Sequence, residues 1–353
     1  MVELSVVLIT RNQDWNIARL VQSVMNEAAG LSYEIVLVDS ASTDRTVEIA
    51  LNYPIRIVRL DENQRLTAHK GQYVGYKYSS GKYILFLDGD MELCKGWLEK
   101  GLEVIHKEEK IAVVTGPWIN LPIEKPSLPE NSEMPGLVSE RLALYKDTDI
   151  DWSHPRGENK IIPSIGGAAM HKRAVLDLVG PFDPDLYCEA EAELCLRIRH
   201  AGFQIMRIGE PIAYHYSLPL GVISTLLARR KRNLHLGYGQ ILRRHFGTWL
   251  FWPFVKERGD GCLPLVGAAF TLLCLFLGLF DGSWTLFDLC VMFFVFFVIL
   301  DTVRKHSFYK TTYSLIDRAV TMEGTVRGFF IPIPRDRYEI KAKVIREINN
   351  DPK

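Results

Sequence analysis

The chain lacks the features that most quickly assign a function. It has no net charge, 42 Lys and Arg balancing 42 Asp and Glu over 353 residues, so no global field marks a nucleic-acid binder. Its six cysteines, Cys94, Cys188, Cys195, Cys262, Cys274 and Cys290, show neither a paired spacing nor C-x-x-C. That argues against a zinc or redox site and for reduced thiols in a cytosolic or membrane setting. The start, MVELSVVLITRNQ, has no basic region followed by a long apolar stretch and a cleavage site, so it reads as a first strand and not as a signal peptide. TRNQDW, which follows, is not a Gly-rich phosphate loop, which excludes a nucleotidyltransferase of that kind. Negative charge is also missing locally. From His215 to Lys256 there is no acidic residue, whereas Arg229, Arg230, Lys231, Arg232, Arg243, Arg244 and Lys256 are basic.

What is present is an alternation. Residues 5–10 (SVVLIT), 34–39 (EIVLVD), 55–59 (IRIVR) and 83–88 (YILFLD) are short apolar runs of the kind buried on both faces of a sheet. Residues 16–27, 45–51 and 68–79 carry helical spacing between or after them, and residues 190–201 carry it again. Such alternation predicts an α/β domain over residues 1–218, a mostly parallel, Rossmann-like sheet with helices on both faces. Ligands of such sheets sit outside the carboxyl ends of the strands. Residues 10–12, 39–44 and 88–90 then share one rim, the plainer alternative being that they are only polar turns. Residues 118–163 are Pro-rich and irregular, as suits a loop or lid.

Beyond residue 218 the character changes. Residues 219–260 form a basic amphipathic region, LLARRKRNLHLGYGQILRRHF and then TWLFWPF, whose default partner is an anionic headgroup surface. Steering of a lipid-linked diphosphate acceptor is a second reading of the same segment. Residues 262–280 and 284–300 are apolar runs separated by Asp281-Gly282-Ser283, each near the roughly 20 residues that cross a bilayer. Neither has a polar face, so a transmembrane hairpin is expected over residues 261–301. Asp288 and the shorter second run leave a re-entrant hairpin open, and a buried hairpin in a soluble protein is the plainer reading. Arg304, Lys305 and Lys310 follow it, and basic residues on both flanks place the N-terminal domain and the tail, residues 302–353, in the cytoplasm. Trp249, Trp252 and Trp284 stand where interfacial aromatics would.

The stretch YILFLDGDMEL, residues 83–93, ends an apolar strand in two aspartates. Mg²⁺ is usually held by one or two carboxylates together with substrate phosphates. Asp88 and Asp90 supply such a partial shell, and Gly89 lets the backbone turn sharply beside a ligand. After the second strand, Asp39 can accept from a nucleobase or ribose, while Asp44 or Thr43 can cap the next helix.

Taken in order, VVLITRNQDWNIARLVQSV, IVLVDSASTDRTVEIA, SSGKYILFLDGDMEL, SIGGAAMHKRAVLDLVGPFDPDL and EAELCLRIRHAGFQI resemble family 2 glycosyltransferases of the GT-A fold, over residues 3–216. The resemblance implies a nucleotide-sugar donor whose base meets Asp39, with Thr10, Asn12, Gly75 and Asp88 on the donor side. It implies that Asp88 and Asp90 bind a divalent metal, Mg²⁺ or Mn²⁺, and that Gly166 and Gly167 line the acceptor or sugar pocket. His215, in AYHYSL, would complete the metal shell or bind the diphosphate, a structural histidine being the alternative. Family members often carry Glu-Asp-x-Asp before Leu-Cys-Leu-Arg, where this chain has Ala190-Glu191-Ala192-Glu193. Glu191 therefore matches the catalytic aspartate, the base that takes the acceptor hydroxyl's proton. Glu189 and Glu193 are the other acceptor-side carboxylates, and an acidic turn complementing the helix dipole is the plainer reading of all three.

Three departures refine this. Tyr73 stands where the family commonly has Asn two residues before Gly75. Met91-Glu92 replaces the Leu-Gln that follows the aspartates of polyprenyl-phosphate sugar synthases, which argues against a simple prenyl-phosphate acceptor. RRKRN, residues 229–233, lacks the Gln and Trp of the Q-x-x-R-W of processive synthases. The expectation is a membrane-anchored, metal-dependent inverting glycosyltransferase at the cytoplasmic face of the cell membrane, with a lipid-linked saccharide acceptor and no nucleic-acid partner. A processive polysaccharide synthase and an inactive nucleotide-sugar-binding subunit are the alternatives.

Overall fold

The computed structural model describes residues 2–122, 158–217, 223–258, 263–332 and 339–347. The chain divides into two compact units. The first comprises Met1–Asp185, Ala190–Leu218 and Pro334–Lys353, and the second Leu186–Glu189 and Pro219–Ile333.

In the first unit the expected alternation is realised as β1 (Leu4–Thr10), α1 (Ile17–Glu27), β2 (Tyr33–Asp39), α2 (Thr46–Ala50), β3 (Arg56–Leu60), α3 (Ala68–Tyr78) and β4 (Tyr83–Asp88). Strands β3, β2, β1 and β4 are adjacent and parallel, because each helical crossover returns the chain in the same sense. Every residue of β1 is buried, as a strand covered on both faces requires. Helix α1 turns Ile17, Leu20, Val21 and Val24 inward, spacings that keep one apolar face on the sheet.

The sheet is less uniform than the alternation predicts. After α4 (Trp97–Lys107) come β6 (Ile111–Thr115), β7 (Trp118–Pro122), β8 (Lys160–Ile161) and β9 (Ala169–Lys172), then α5 (Arg173–Val179), α6 (Ala190–His200), β10 (Gln204–Arg207) and β11 (Ala213–Ser217). Strand β9 lies antiparallel between β4 and β6. A three-stranded sheet, with β11 between β5 (Met91–Leu93) and β7, stands beside the nine-stranded one. The lid expected over residues 118–163 thus begins and ends in strands, and residues 123–157 lie outside the described residues.

Residues 302–353, expected as a separate tail, divide between the units. Strand β12 (Ala342–Arg346) adds antiparallel to β3 and closes that edge of the nine-stranded sheet. The edge position leaves the choice of partner to backbone pairing, which side-chain pattern encodes weakly.

The second unit holds α7 (Ile223–Lys231), α8 (Gly237–His245), α9 (Phe251–Arg258), α10 (Leu263–Asp281), α11 (Thr285–Lys305) and α12 (Phe308–Phe330). Helix α12 packs on α8, with Gly328 against the carbonyl of Leu236 at a separation no side chain would permit. Among the described residues one helix, Thr285–Lys305, is long and apolar enough to cross a membrane, and Ala269–Asp281 forms a shorter apolar stretch.

Candidate active site

Register brings the three expected strand ends together. Thr10 pairs with Asp39 across β1 and β2, and Ile9 pairs with Asp88 across β1 and β4. Asp39 is fully buried. Its Oδ2 accepts from the Ser42 amide at 3.0 Å, and the Arg59 guanidinium stands 3.6 Å away. Burial raises the Asp39 pKa, while Ser42 and Arg59 act to lower it. Asp39 Oδ1 and Thr10 Oγ1 have no hydrogen-bond partner among the described residues, which suits them to a ligand's donors.

Asn12 has a left-handed backbone, φ +54°, a conformation Asn tolerates better than most residues. Its amide donates to Ser42 Oγ at 2.9 Å and its Oδ1 accepts from the Thr43 amide at 2.8 Å. Asn12 therefore ties the loop after β1 to the loop after β2. Asp44 accepts from the Thr46 amide at 3.0 Å just before α2, but the N-cap position is Arg45 and no side chain caps the helix, so the capping role expected of Asp44 is not realised.

The Asp88-Gly89-Asp90 turn is held from outside itself. Asn16 Nδ2 donates to the carbonyls of Gly89 at 2.9 Å and Met91 at 2.8 Å. The Gly89 amide donates to Ile9 O at 2.8 Å, and that of Tyr216 to Asp90 O at 2.9 Å. A Cβ on Gly167 would lie 2.3 Å from Asp88 Oδ2, so the glycine is what lets that segment lie on the carboxylate. Gly166 is pressed in the same way onto the ring of Trp118, where a Cβ would stand 2.4 Å from Cζ2.

The Asp88 carboxyl is pushed up to about 7 by burial first, then by the charges of Asp90 and Glu191, against the opposing influence of His215. His215 reaches this place because β11 pairs with β5, setting it opposite Met91. Its Nδ1 meets Asn120 Oδ1 at 2.9 Å and its Nε2 stands 3.7 Å from Asp90 Oδ2. With Asn120 Oδ1 accepting, Nδ1 carries the proton and the Nε2 lone pair is left on the side of a carboxylate.

Those donors fit a hard divalent cation. Asp90 Oδ1 is buried and without a hydrogen-bond partner among the described residues, and crowded carboxylates are relieved by an ion of opposite charge. Among the described residues no three His, Cys, Asp or Glu side chains form a cage of their own.

Residues 5–162 match the family described as Glycosyl transferase family 2. This segment belongs to glycosyl transferase family 2. The chain is 24% identical over 268 residues to glycosyltransferase AglE of Haloferax volcanii, covering 72% of this chain and 81% of that one. It is 29% identical over 157 residues to a dolichol-phosphate mannosyltransferase of Pyrococcus furiosus, covering 42% and 43%. A third similarity, 35% over 118 residues, is to human polypeptide N-acetylgalactosaminyltransferase 13, covering 31% and 21%. The chain thus spans most of the first relative and less than half of the other two.

The GT-A fold of this family 2 domain assigns the remaining expected residues unequal places. Glu191, in the first turn of α6, accepts from Gln72 Nε2 at 3.3 Å and lies 3.8 Å from His69 Nδ1. Glu193 is buried and bound through both oxygens by Arg197, whose NH1 also donates to the carbonyls of Val179 and Gly180, each at 2.6 Å. It is a structural carboxylate, and the acceptor-side expectation for it is replaced by that role. Glu189 belongs to the second unit, where it has a left-handed φ of +63° and pairs with Arg258 at 3.8 Å. Gly75, expected on the donor side, lies on the face of α3 that meets β1, with Val7 Cγ1 only 2.1 Å from where a Cβ would be, a packing position.

Sequence reasoning missed Asn16, Arg59, His69, Gln72 and Asn120. The signal for two of them was present in α3. His69 and Gln72 are polar residues on the buried face of that helix, where apolar ones are expected.

Proposed function

We propose that this chain is an inverting, divalent-metal-assisted glycosyltransferase, held at a membrane, that moves a sugar from a nucleotide donor to a lipid-linked saccharide. The observation that carries the reading is the crowding of Asp88 by Asp90 and Glu191 at the end of β4, on the rim it shares with the buried Asp39.

In this reading Asp39 and the loop pinned by Asn12 receive the base, and Asp88 and Asp90, with His215 beside them, would hold Mg²⁺ or Mn²⁺. Such an ion supplies charge to offset the departing nucleoside diphosphate. Gly166 and Gly167, packed on Trp118 and Asp88, would border the sugar pocket. Glu191 accepts the proton of the acceptor hydroxyl as that oxygen bonds to the anomeric carbon and the bond to the diphosphate breaks. Bonding from the face opposite the leaving group inverts the configuration.

Attachment to a membrane is supported by α11, where Phe293, Phe296 and Ile299 are exposed on a helix of spanning length. Basic Arg229, Arg230 and Lys231 end α7, and Trp249 and Trp252 are exposed nearby in sequence, a composition suited to anionic headgroups. The similarity to a dolichol-phosphate mannosyltransferase makes a lipid-linked acceptor the first to test.

The test is release of nucleoside diphosphate by the full chain in detergent with Mn²⁺, UDP- or GDP-activated hexoses and polyprenyl-diphosphate-linked saccharides. Release that needs both metal and acceptor is expected, with loss in Asp90→Ala and in Glu191→Gln. Full turnover in both variants would refute the mechanism.

A further inference from the structure

Helix α3 lies flush on β1. A Cβ on Gly71 would stand 2.6 Å from Ile9 Cγ2, and one on Gly75 would stand 2.1 Å from Val7 Cγ1. Four residues apart, the two glycines line one face, and their lack of side chains sets the height at which the helix sits. Beside them His69 and Gln72, three apart, are 5% and 1% exposed. Polar side chains buried so deeply are costly unless their groups are bonded.

They are bonded to one another and to Glu191. Gln72 Nε2 donates to Glu191 Oε1 at 3.3 Å, and Gln72 Oε1 meets His69 Nδ1 at 3.0 Å. An ionised carboxylate only accepts, so the amide nitrogen of Gln72 faces Glu191 and its oxygen faces the ring, which makes Nδ1 the protonated nitrogen of His69. The 3.8 Å between His69 Nδ1 and Glu191 Oε1 is too long for a direct hydrogen bond. His69 therefore acts through Gln72. Glu191 itself is 19% exposed, and its Oε2 has no hydrogen bond among the described residues.

We propose that Gln72, oriented by His69, is a positioning residue that anchors Glu191 through Oε1 and leaves Oε2 facing the acceptor hydroxyl. The proposal rests on the reading of Glu191 as the base. Gln72, 1% exposed, offers almost no surface to a substrate. A free glutamate has three rotatable bonds, and fixing them in advance removes an entropic cost from the reacting complex.

The test uses the full chain in detergent with Mn²⁺, UDP-glucose, UDP-N-acetylglucosamine or GDP-mannose as donor, and a polyprenyl-diphosphate-linked saccharide as acceptor. Gln72→Met keeps the length but not the donor, and should lower kcat about 10- to 100-fold while each KM stays within about twofold. His69→Leu should lower kcat in the same sense. His69→Asn, whose Nδ2 takes the place of the ring Nδ1, should restore it to within about threefold. Experimental structures of the parent and of Gln72→Met should show the Glu191 carboxylate displaced in the variant, and this comparison decides the matter even where none of the three donors is consumed. An unmoved carboxylate, an undiminished kcat in Gln72→Met, or an equal loss in His69→Asn and His69→Leu would overturn the proposal. Full turnover in Glu191→Gln would instead remove the base assignment on which it stands, so the two failures are distinguishable.

Discussion

Gly167 and Asp88 approach so closely that a Cβ on the glycine would stand 2.3 Å from Asp88 Oδ2. The carboxylate and the segment bearing Gly167 cannot both keep their places once a methyl group is added. Gly167→Ala should therefore displace Asp88 by a few tenths of an ångström to about 1 Å, a misplacement that costs on the order of 100-fold in rate. Turnover with Mn²⁺ should fall by that order while the melting temperature changes little. A variant with parent-like turnover would separate Gly167 from any part Asp88 plays in the reaction.

Asp88 also makes stability depend on pH in a definite sense. Its carboxyl titrates near 3.8 ordinarily and is pushed up to about 7 in the fold. The folded state therefore holds a proton that the unfolded state has lost between those values. Stability from this group is fully present below about pH 4 and is lost as pH rises through about 7. In EDTA, Asp88→Asn, which does not titrate, should melt above the parent at pH 8 and level with it near pH 4. A gain of roughly 2–4 °C is the shift that about 1 kcal/mol produces in a domain of this size. A parent that is more stable at pH 8 than Asp88→Asn contradicts the assignment.

The carboxylates two residues apart on α6 should behave oppositely. Glu193→Ala leaves the Arg197 guanidinium unpaired beside the Val179 and Gly180 carbonyls, and breaking a buried pair from one side costs about 3–5 kcal/mol. Glu191→Gln keeps shape and hydrogen-bonding capacity, so its melting temperature should stay near the parent's while turnover is lost. Melting curves and turnover of the two variants, measured together, check this. Equal destabilisation by both would mean that Glu191 too is structural.

Strand β12 covers the edge of β3, with Arg56 paired to Glu347 at 2.8 Å and Gln64 Nε2 bonded to the carbonyl of Lys341 at 2.6 Å. Removing residues 339–353 uncovers that edge, and an uncovered strand is a template for pairing with another chain. The truncated protein should aggregate at concentrations where the parent is monodisperse, as size-exclusion chromatography would show. Because β3 also carries Arg59, 3.6 Å from Asp39, donor affinity should weaken as well.

Much of this was legible in the linear sequence where local rules act alone. The runs SVVLIT, EIVLVD and YILFLD became β1, β2 and β4 within a residue of the expected limits, since burial on both faces leaves a continuous apolar signature. Asp39, Asp88 and Asp90 could be placed on one rim because each stands at or just beyond the end of such a run.

What tertiary structure alone decided are relations between segments far apart in sequence. Glu193 meets Arg197 four residues on in the same helix, but only packing binds Glu191 to Gln72, 119 residues away. Gly75 reads as a candidate ligand-side glycine until Val7 is seen beneath it. The last residues carry no marked pattern, yet β12 completes the sheet by backbone pairing with β3, which registers almost no preference in side chains. Sequence by itself determined which residues stand at strand ends and which helices are apolar, because those follow from periodicity. The fold determined which partners each of these carboxylates has, because that depends on what the packing brings within hydrogen-bond reach.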